Sequence, residues 1–199
     1  MSFLRSMPDA SLIDVFRASP EFARPLHVFA QQLMRGPSPF TEQERELIAA
    51  YVSSLNHCEF CRASHIEVGR HYGTPDDLID DLMKGIHNAP IDERIKPVLS
   101  YVRMLTLAPG RVTKSDVTAL YDAGWDDTAV SHAALVCAFF SFMNRWVNGL
   151  GIEADPAVVK MAGEMLHKKG YTAVIELLDR AGKLNRPQAT RDAHEPTLS

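Results

Sequence analysis

The amino-acid sequence predicts an all-α protein, folded as a compact set of packed helices. Apolar residues recur at helical spacing in nearly every segment, and no segment combines sustained alternation with the Val, Ile and Thr enrichment of strands. Residues typical of helix starts and ends punctuate the chain. We expect one helical domain over residues 1–184, with its core at about 20–155 and further C-terminal helices, followed by a loose polar tail over 185–199.

The first half of the chain should hold four or five helices. Two or three precede residue 40, in a region that we expect prolines to interrupt, namely Pro20, Pro25, Pro37 and Pro39. Thr41 followed by Glu44 is a capping-box pattern, which predicts a helix over about 42–55. The next helix should begin near Cys58 and end near Gly73.

Proline and glycine also mark the later helices. Thr74-Pro75 and Asp155-Pro156 each offer an N-cap followed by proline at the first helical position, so a helix should begin at each pair. Between them we expect a helix over about 92–107 and a short one over about 115–123, which ends at Gly124.

The longest predicted helix runs from about Asp126 to Asn148. Its middle, residues 133–142, is apolar nearly all round, so we expect it to be the central buried helix. A lone cysteine in such a run, Cys137, is typically a buried and inert small hydrophobe. Asn144 could position a substrate, although a structural role is favoured.

Charge and targeting signals exclude several partners. Lys plus Arg total 21 against 25 for Asp plus Glu, which gives a net charge of −4 and no electrostatic case for nucleic acid or an anionic membrane. The first eight residues lack the features of a signal peptide, and no later segment is apolar enough to span a bilayer. We therefore expect a cytoplasmic protein, in which a close cysteine pair is redox-active or metal-binding rather than a structural disulfide.

The chemistry of the chain centres on Cys58-Glu59-Phe60-Cys61. If a helix begins near Cys58, then Cys58, Cys61 and His65 project within roughly a 60° arc and share one face. The helix start favours the thiolate of Cys58. His65 lies one turn beyond Cys61 and can exchange a proton with its sulfur. A nucleophilic thiolate, a resolving thiol and an acid/base group together form a redox centre.

Glu46 on the preceding helix could join this centre. Together with Ala49, Ala50 and Ser53 it forms a face of small residues that the cysteine helix could cover. Its pKa should then rise through partial desolvation. Periodicity alone favours the alternative of a solvated charged face.

Two other uses of a C-x-x-C motif compete with this interpretation. A thioredoxin-like fold needs a βαβ pattern, and none is present. A zinc site needs about four ligands, and a continuous helix cannot turn His57, Cys58, Cys61 and His65 towards one tetrahedral centre. A zinc site completed by His71 or His132 remains a minor alternative.

The combined motif resembles a known family. Residues 41–46 and 53–65 are similar to the alkylhydroperoxidase D-like members of the carboxymuconolactone decarboxylase superfamily, whose signature is a Glu on one helix and then C-x-x-C with a His four residues later. Residues 112–117, the Gly124-Trp125 turn and residues 142–151 resemble the peroxidase-related subgroup. The resemblance covers roughly residues 20–155.

The resemblance implies a thiol-dependent hydroperoxidase or disulfide oxidoreductase of antioxidant function. It implies that Cys61 attacks the hydroperoxide and that Cys58 resolves the sulfenic acid into a disulfide, while Glu46 and His65 form the proton relay. It further implies a dithiol reductant (a lipoyl group or a thioredoxin-like protein), no cofactor or metal, and a homo-oligomer that is a trimer or a hexamer.

One residue departs from the family pattern. Phe60 stands where the best-known peroxidases of the family carry a second His, which removes one member of the relay. The alternatives are a lyase of the decarboxylase branch, which generally lacks the paired cysteines, and a non-catalytic redox sensor or zinc-binding module.

Overall fold

The computed structural model describes residues 2–184, with the backbone alone for 181–184. This part of the chain contains α-helices and two short 3-10 turns but no strand, which confirms the all-α prediction. The predicted polar tail, 185–199, lies outside the described residues. None of the described helices has the length and hydropathy that crossing a membrane requires.

Ten α-helices lie within the described residues. They are α1 (Leu12–Ala18), α2 (Pro20–Arg35), α3 (Glu42–Leu55), α4 (Glu59–His71), α5 (Leu78–Lys84), α6 (Ile95–Leu107), α7 (Lys114–Asp122), α8 (Asp127–Gly149), α9 (Pro156–Lys169) and α10 (Ala173–Leu184).

The start of α3 confirms the capping-box prediction. The backbone N–H of Thr41 donates to Glu44 Oε2 at 2.7 Å, and the Glu44 N–H donates to Thr41 Oγ1 at 3.2 Å. At α9, Asp155 Oδ1 accepts the backbone N–H groups of Ala157 and Val158, as the Asp-Pro pair predicts. Side chains thus satisfy first-turn amide groups that a helix leaves without internal partners.

The predicted helix start at Thr74-Pro75 is wrong. The Thr74 hydroxyl accepts a hydrogen bond from Gln43 Nε2 on α3 at 3.2 Å, and the N-cap of α5 is Asp77, three residues later. Residues 75–78 form a turn, in which the Leu78 N–H donates to the Pro75 carbonyl, and α5 begins only at Leu78.

Two further predictions, on where one helix begins and on whether a proline interrupts another, are wrong. The helix expected from about residue 92 begins at Ile95, because Asp92 Oδ1 accepts the N–H of Arg94 at 2.8 Å and closes a turn first. Pro25 lies inside α2 and does not interrupt it. A single proline near a helix start removes only one intrahelical hydrogen bond, and a long amphipathic helix held by its neighbours tolerates that loss.

The central helix of the chain is α3 and not α8. All eleven residues from Arg45 to Leu55 are buried in α3, whereas α8 buries one face and leaves Leu135 and Phe142 46% and 49% exposed. Helix α3 is covered on several sides, by α4, α5, α6 and α8, while α4 also packs against α9. The face of α3 that carries Glu46 and Ser53 meets the cysteine segment, so the arrangement that periodicity alone did not favour is the one adopted.

Candidate active site

A tight turn between α3 and α4 places the two cysteines. His57 adopts a left-handed conformation (φ 53°), which reverses the chain, and the Cys58 N–H then donates to the Ser53 carbonyl at 2.9 Å. Cys58 becomes the N-cap of α4, and Cys61 lies in the first turn of that helix. This is the helix start that the motif predicts.

The two thiols are reduced, buried and in contact. Their residues are 1% (Cys58) and 6% (Cys61) exposed. A hydrogen bond from the Cys61 thiol lowers the pKa of Cys58, against the opposing effect of burial. The same contact, together with burial, raises the pKa of Cys61 well above its ordinary value. The negative charge of the reduced pair therefore favours Cys58, in agreement with its position at the helix start.

Asn144 on α8 completes the surroundings of the thiols. Its side chain is fully buried, and its amide contacts both cysteines and lowers the pKa of each. It also donates to Ser53 Oγ at 3.0 Å and accepts from Asn56 Nδ2 at 3.0 Å. Asn144 therefore belongs to the surroundings of the dithiol, and its hydrogen bonds to Ser53 and Asn56 fit the structural role that the sequence favoured over substrate positioning.

His65 and Glu46 meet directly, as the family resemblance implies. His65 Nδ1 lies 2.6 Å from Glu46 Oε2, and the imidazole packs edge-on against Phe140 with ring centroids 4.3 Å apart. An ionised carboxylate can only accept, so Nδ1 carries the proton and Nε2 is left to act as a base. The structure thus brings Cys58, Cys61, His65 and Glu46 onto two adjacent helices, α3 and α4.

Glu46 is fully buried and ionised. Burial raises the pKa of its carboxyl group, but the hydrogen bond from His65 and the guanidinium of Arg35 outweigh burial and hold the pKa below its ordinary value. Arg35 Nη2 lies 2.7 Å from Oε1, and the Tyr171 hydroxyl donates to the same oxygen at 3.1 Å. The predicted rise of the Glu46 pKa is wrong, because the hydrogen bond from His65 and the buried guanidinium of Arg35 stabilise the carboxylate.

Arg35 is the residue that the sequence patterns did not indicate. Its side chain is 6% exposed, and its guanidinium lies over the rings of Tyr171 and Tyr72, at 5.1 and 5.8 Å from their centroids. Arg35 Nε lies 3.4 Å from the carboxylate of Glu42, which also accepts a hydrogen bond from the Tyr72 hydroxyl. An arginine in the last turn of a helix is usually predicted to be a solvated cation that interacts with the helix C-terminus, so its position in the sequence did not indicate burial.

An apolar cavity of about 370 Å³ opens onto this centre. Cys61, His65 and Tyr171 are among its lining residues, whereas Cys58 is not. The rest of the wall is mostly hydrophobic and comes from α1, α2, α4, α8, α9 and α10. A molecule in this cavity therefore meets Cys61 before Cys58.

The structure also defines the positions of Phe60 and Cys137. Phe60 lines the cavity, so the position of the second family histidine holds an apolar ring. Cys137 is buried on α8 with its sulfur 3.2 Å from Thr106 Oγ1, and burial raises its pKa, in keeping with an inert thiol. No cluster of three or more potential metal ligands occurs among residues 2–184.

Comparisons with known proteins agree with this architecture. The carboxymuconolactone decarboxylase family model matches residues 20–87, which include Glu46, Cys58, Cys61 and His65. No curated protein matches the chain significantly.

Three solved structures are similar to the chain. The first, from Ralstonia eutropha JMP134, is described as a peroxidase-related protein with an alkylhydroperoxidase AhpD core (25% identity, 75% of this chain and 78% of that one, TM-score 0.68). The second is a peroxidase-related protein from Silicibacter sp. TM1040 (25% identity, 73% and 76%, TM-score 0.68). The third, from Agrobacterium tumefaciens, is a protein of unknown function described as a candidate antioxidant defence protein AhpD, and it shares the fold (19% identity, 73% and 99%, TM-score 0.64). These findings confirm the resemblance drawn from the sequence.

Proposed function

From the likeness of this chain to the alkylhydroperoxidase D-like proteins of the carboxymuconolactone decarboxylase superfamily, we propose that it is a thiol-dependent hydroperoxidase. One observation carries the proposal: Cys61 and His65 line an apolar cavity, and a buried carboxylate, Glu46, holds His65 through Nδ1. A nucleophile, a base and an orienting group thereby face the same enclosed space.

The proposed cycle begins when a hydroperoxide enters the cavity. His65 Nε2 takes the Cys61 proton, and the thiolate attacks the O–O bond. Cys61 becomes a sulfenic acid, and the leaving alkoxide takes the proton from His65 to give an alcohol. The sulfur of Cys58 then attacks the sulfenic sulfur, which forms the Cys58–Cys61 disulfide and releases water. Two electrons pass from the dithiol to the peroxide.

The electrostatics of the thiol pair suit this division of roles. Cys58 has the lowered pKa, so it is readily available as the thiolate that resolves the sulfenic acid. Cys61 faces the cavity but holds its proton firmly, so its attack depends on a base. The His65 and Glu46 pair supplies that base.

A dithiol must reduce the disulfide after each turnover. The proposed donor is a lipoyl group or a thioredoxin-like protein, because a disulfide between close cysteines is opened efficiently by a second thiol pair. No bound cofactor or metal takes part. A cytoplasmic location and a homo-oligomer, trimeric or hexameric, complete the proposal.

The proposal is tested in a Cys137→Ser background, so that all thiol chemistry reports on the pair. Reduced protein is mixed with hydrogen peroxide and with cumene hydroperoxide, while free thiols and alcohol formation are followed. With excess dihydrolipoamide we expect multiple turnovers, faster with the organic peroxide because the cavity wall is apolar. Unchanged thiols with both peroxides would refute the proposal, and a single oxidation without cycling would indicate a redox sensor.

The description of the matching family model supports one rival function. Under it the chain would be a carboxymuconolactone decarboxylase-like lyase in which the cysteines are incidental. A Cys58→Ser, Cys61→Ser double variant distinguishes the two: decarboxylation of a carboxymuconolactone by this variant at the wild-type rate would favour the lyase.

A further inference from the structure

We infer that Tyr171 and Arg35 are positioning residues of the relay, which fix the carboxylate of Glu46 against His65. This inference deepens the proposed function and rests on it for its catalytic consequence. Neither residue carries a motif in the sequence, and they reach Glu46 from opposite ends of the described chain.

The two oxygens of Glu46 have separate partners. Oε2 faces His65 Nδ1 at 2.6 Å, while Oε1 is held by Arg35 Nη2 at 2.7 Å and by the Tyr171 hydroxyl at 3.1 Å. A carboxylate rotates about its terminal torsion in a broad well, so contact with His65 alone would leave its orientation loose. Two donors on Oε1 restrict that rotation and direct Oε2 towards the imidazole.

Separate hydrogen bonds, to the backbone, hold Tyr171 in place. Gln31 Oε1 accepts the backbone N–H groups of Tyr171 and Thr172, at 2.7 and 3.4 Å. Gly170 precedes them with φ 70°, and a Cβ at that position would lie 2.4 Å from the same oxygen. Gln31 and Arg35 lie one turn apart on α2. One helix therefore binds both the backbone of the Tyr171 segment and the carboxylate that Tyr171 contacts.

Tyr171 acts as a donor and not as an anion. It is buried, and burial together with the charge of Glu46 raises the pKa of its hydroxyl group well above the ordinary value. The hydroxyl therefore keeps its proton and withdraws negative charge from Oε1. The ionisable groups around Glu46 are Arg35 on α2, Glu42 and Arg45 on α3, His65 on α4, Tyr72 after α4, and Tyr171.

The test removes one hydroxyl at a time. Tyr171→Phe keeps the ring over Arg35 but removes the donor, whereas the matched control, Tyr72→Phe, removes a hydroxyl that is bonded to Glu42 and not to Glu46. Both are made with Cys137→Ser. The first readout, a ¹³C NMR titration of the Glu46 carboxyl carbon, is independent of catalysis. The second is the pH dependence of Cys61 alkylation by iodoacetamide, assigned by peptide mass spectrometry.

In Tyr171→Phe we expect the Glu46 titration to move up by about 1 pH unit, since a hydrogen bond to the charged form has been lost. A more basic carboxylate stabilises the imidazolium of His65, so the acid limb of Cys61 alkylation should move to higher pH as well. Tyr72→Phe should move neither curve. Gln31→Met, which keeps the tyrosine but frees its backbone, should shift both curves in the same direction by a smaller amount.

The outcomes separate this inference from the proposed function. If Tyr171→Phe and Gln31→Met fold, as circular dichroism would establish, and leave both curves in place, the inference is wrong even when the wild-type protein reduces peroxide. If both curves shift but no variant or wild-type protein turns over peroxide, the positioning role stands and the peroxidase fails. An equal shift in Tyr72→Phe would contradict the inference, because it would indicate a general field effect.

Discussion

Glu46 carries a full negative charge inside the protein, and that charge is compensated only in the folded state. Its pKa is lowered in the fold by His65 and Arg35 against the effect of burial. A group with a depressed folded pKa contributes stability above its unfolded pKa and loses it as the pH falls through the folded value. The buried pair of Glu46 and Arg35 is therefore a source of acid sensitivity.

We predict that Glu46→Gln changes stability in two ways. At neutral pH the variant removes the nearest counter-charge of the buried Arg35 guanidinium and leaves only Glu42, 3.4 Å from Nε, so the free energy of unfolding should drop by about 3 kcal/mol, the lower end of the range for a broken buried ion pair. Below about pH 4.5, the ordinary value for this group, the wild-type protein should lose stability more steeply than the variant. Urea denaturation at several pH values measures both effects. Glu176→Gln, at an exposed carboxylate on α10, is the control and should follow the wild-type curve, whereas parallel curves for Glu46→Gln would contradict the prediction.

A second prediction concerns which sulfur attacks. In a Cys137→Ser background, Cys58→Ser should accumulate a sulfenic acid on Cys61 after treatment with cumene hydroperoxide, because the resolving thiol is gone. Cys61→Ser should accumulate little, since Cys58 does not line the cavity. Dimedone labelling followed by mass spectrometry measures the sulfenic acid in both variants. Labelling of Cys58 in Cys61→Ser at a comparable rate would instead give the attacking role to the cysteine with the lower pKa.

The residues of the site differ in how far the sequence predicts them. Cys58, Cys61 and His65 follow from helical spacing, because all three lie on one short segment. Glu46 came from the family resemblance, since periodicity favoured a solvated carboxylate. Arg35 and Tyr171 left no local signal: Tyr171 meets Glu46 across 125 positions of sequence, and only the packing of α2 and the segment before α10 onto α3 reveals the contact.

At the scale of elements, the packing of α9 onto α4 depends on one glycine. A Cβ at Gly163 would lie 2.4 Å from Glu67 Cγ and 2.9 Å from its Cβ, so the two helices approach too closely there for any side chain. Helix α9 also supplies part of the cavity wall. A larger residue at this position should therefore loosen the cavity as well as the interface.

We predict that Gly163→Ala lowers the free energy of unfolding by about 1–3 kcal/mol, the usual range for an overpacked contact. The matched control is Gly149→Ala at the exposed end of α8, where a Cβ meets nothing within 4 Å. That variant should be neutral or more stable by up to about 1 kcal/mol, because alanine restricts the unfolded chain. Thermal unfolding compares the two. Equal melting temperatures for both variants would mean that α9 adjusts without cost.

Helix type was predictable along the chain, but the burial of each helix was not. The apolar middle of α8 predicted the central helix, yet α3, which begins with four charged side chains among its first five residues, is the one covered on several sides. The composition of a helix indicates whether its surface can be buried, but the helices packed around it determine how much of that surface is buried. The delayed start of α5 also reflects its neighbours, since Thr74 bonds to Gln43 on α3 and residues 75–78 form a turn before the helix begins.

At the scale of the whole molecule, three of the exposed phenylalanines, Phe22, Phe29 and Phe142, lie on the two helices α2 and α8. Phe22 on α2 and Phe142 on α8 line one shallow groove, and nearby on the same two helices Phe29 packs against Phe139 with centroids 5.3 Å apart. An apolar patch of this kind on one face is typical of an interaction surface. It fits the proposed homo-oligomer, in which a second copy would cover this patch.

We predict that Phe142→Glu lowers the mass of the assembly measured by multi-angle light scattering, because a buried charge without a partner disfavours association. Leu107→Glu is the control: Leu107 is 54% exposed on α6, a helix outside this patch, and its substitution should leave the mass unchanged. A wild-type protein that is monomeric at micromolar concentration would refute the oligomer itself.

The contact of Tyr171 with Glu46 also has a consequence for the order of folding. On the ribosome, α2, α3 and α4 emerge and can pack long before residue 171 has been synthesised, so the carboxylate of Glu46 lacks its last donor until that residue has emerged. Contacts of such high sequence separation form late, because a long loop must close first. In a refolding experiment, α2, α3 and α4 should therefore regain their packing before Cys61 regains the pH dependence of its reactivity, and a newly made chain would complete this site only after residue 171 has been made.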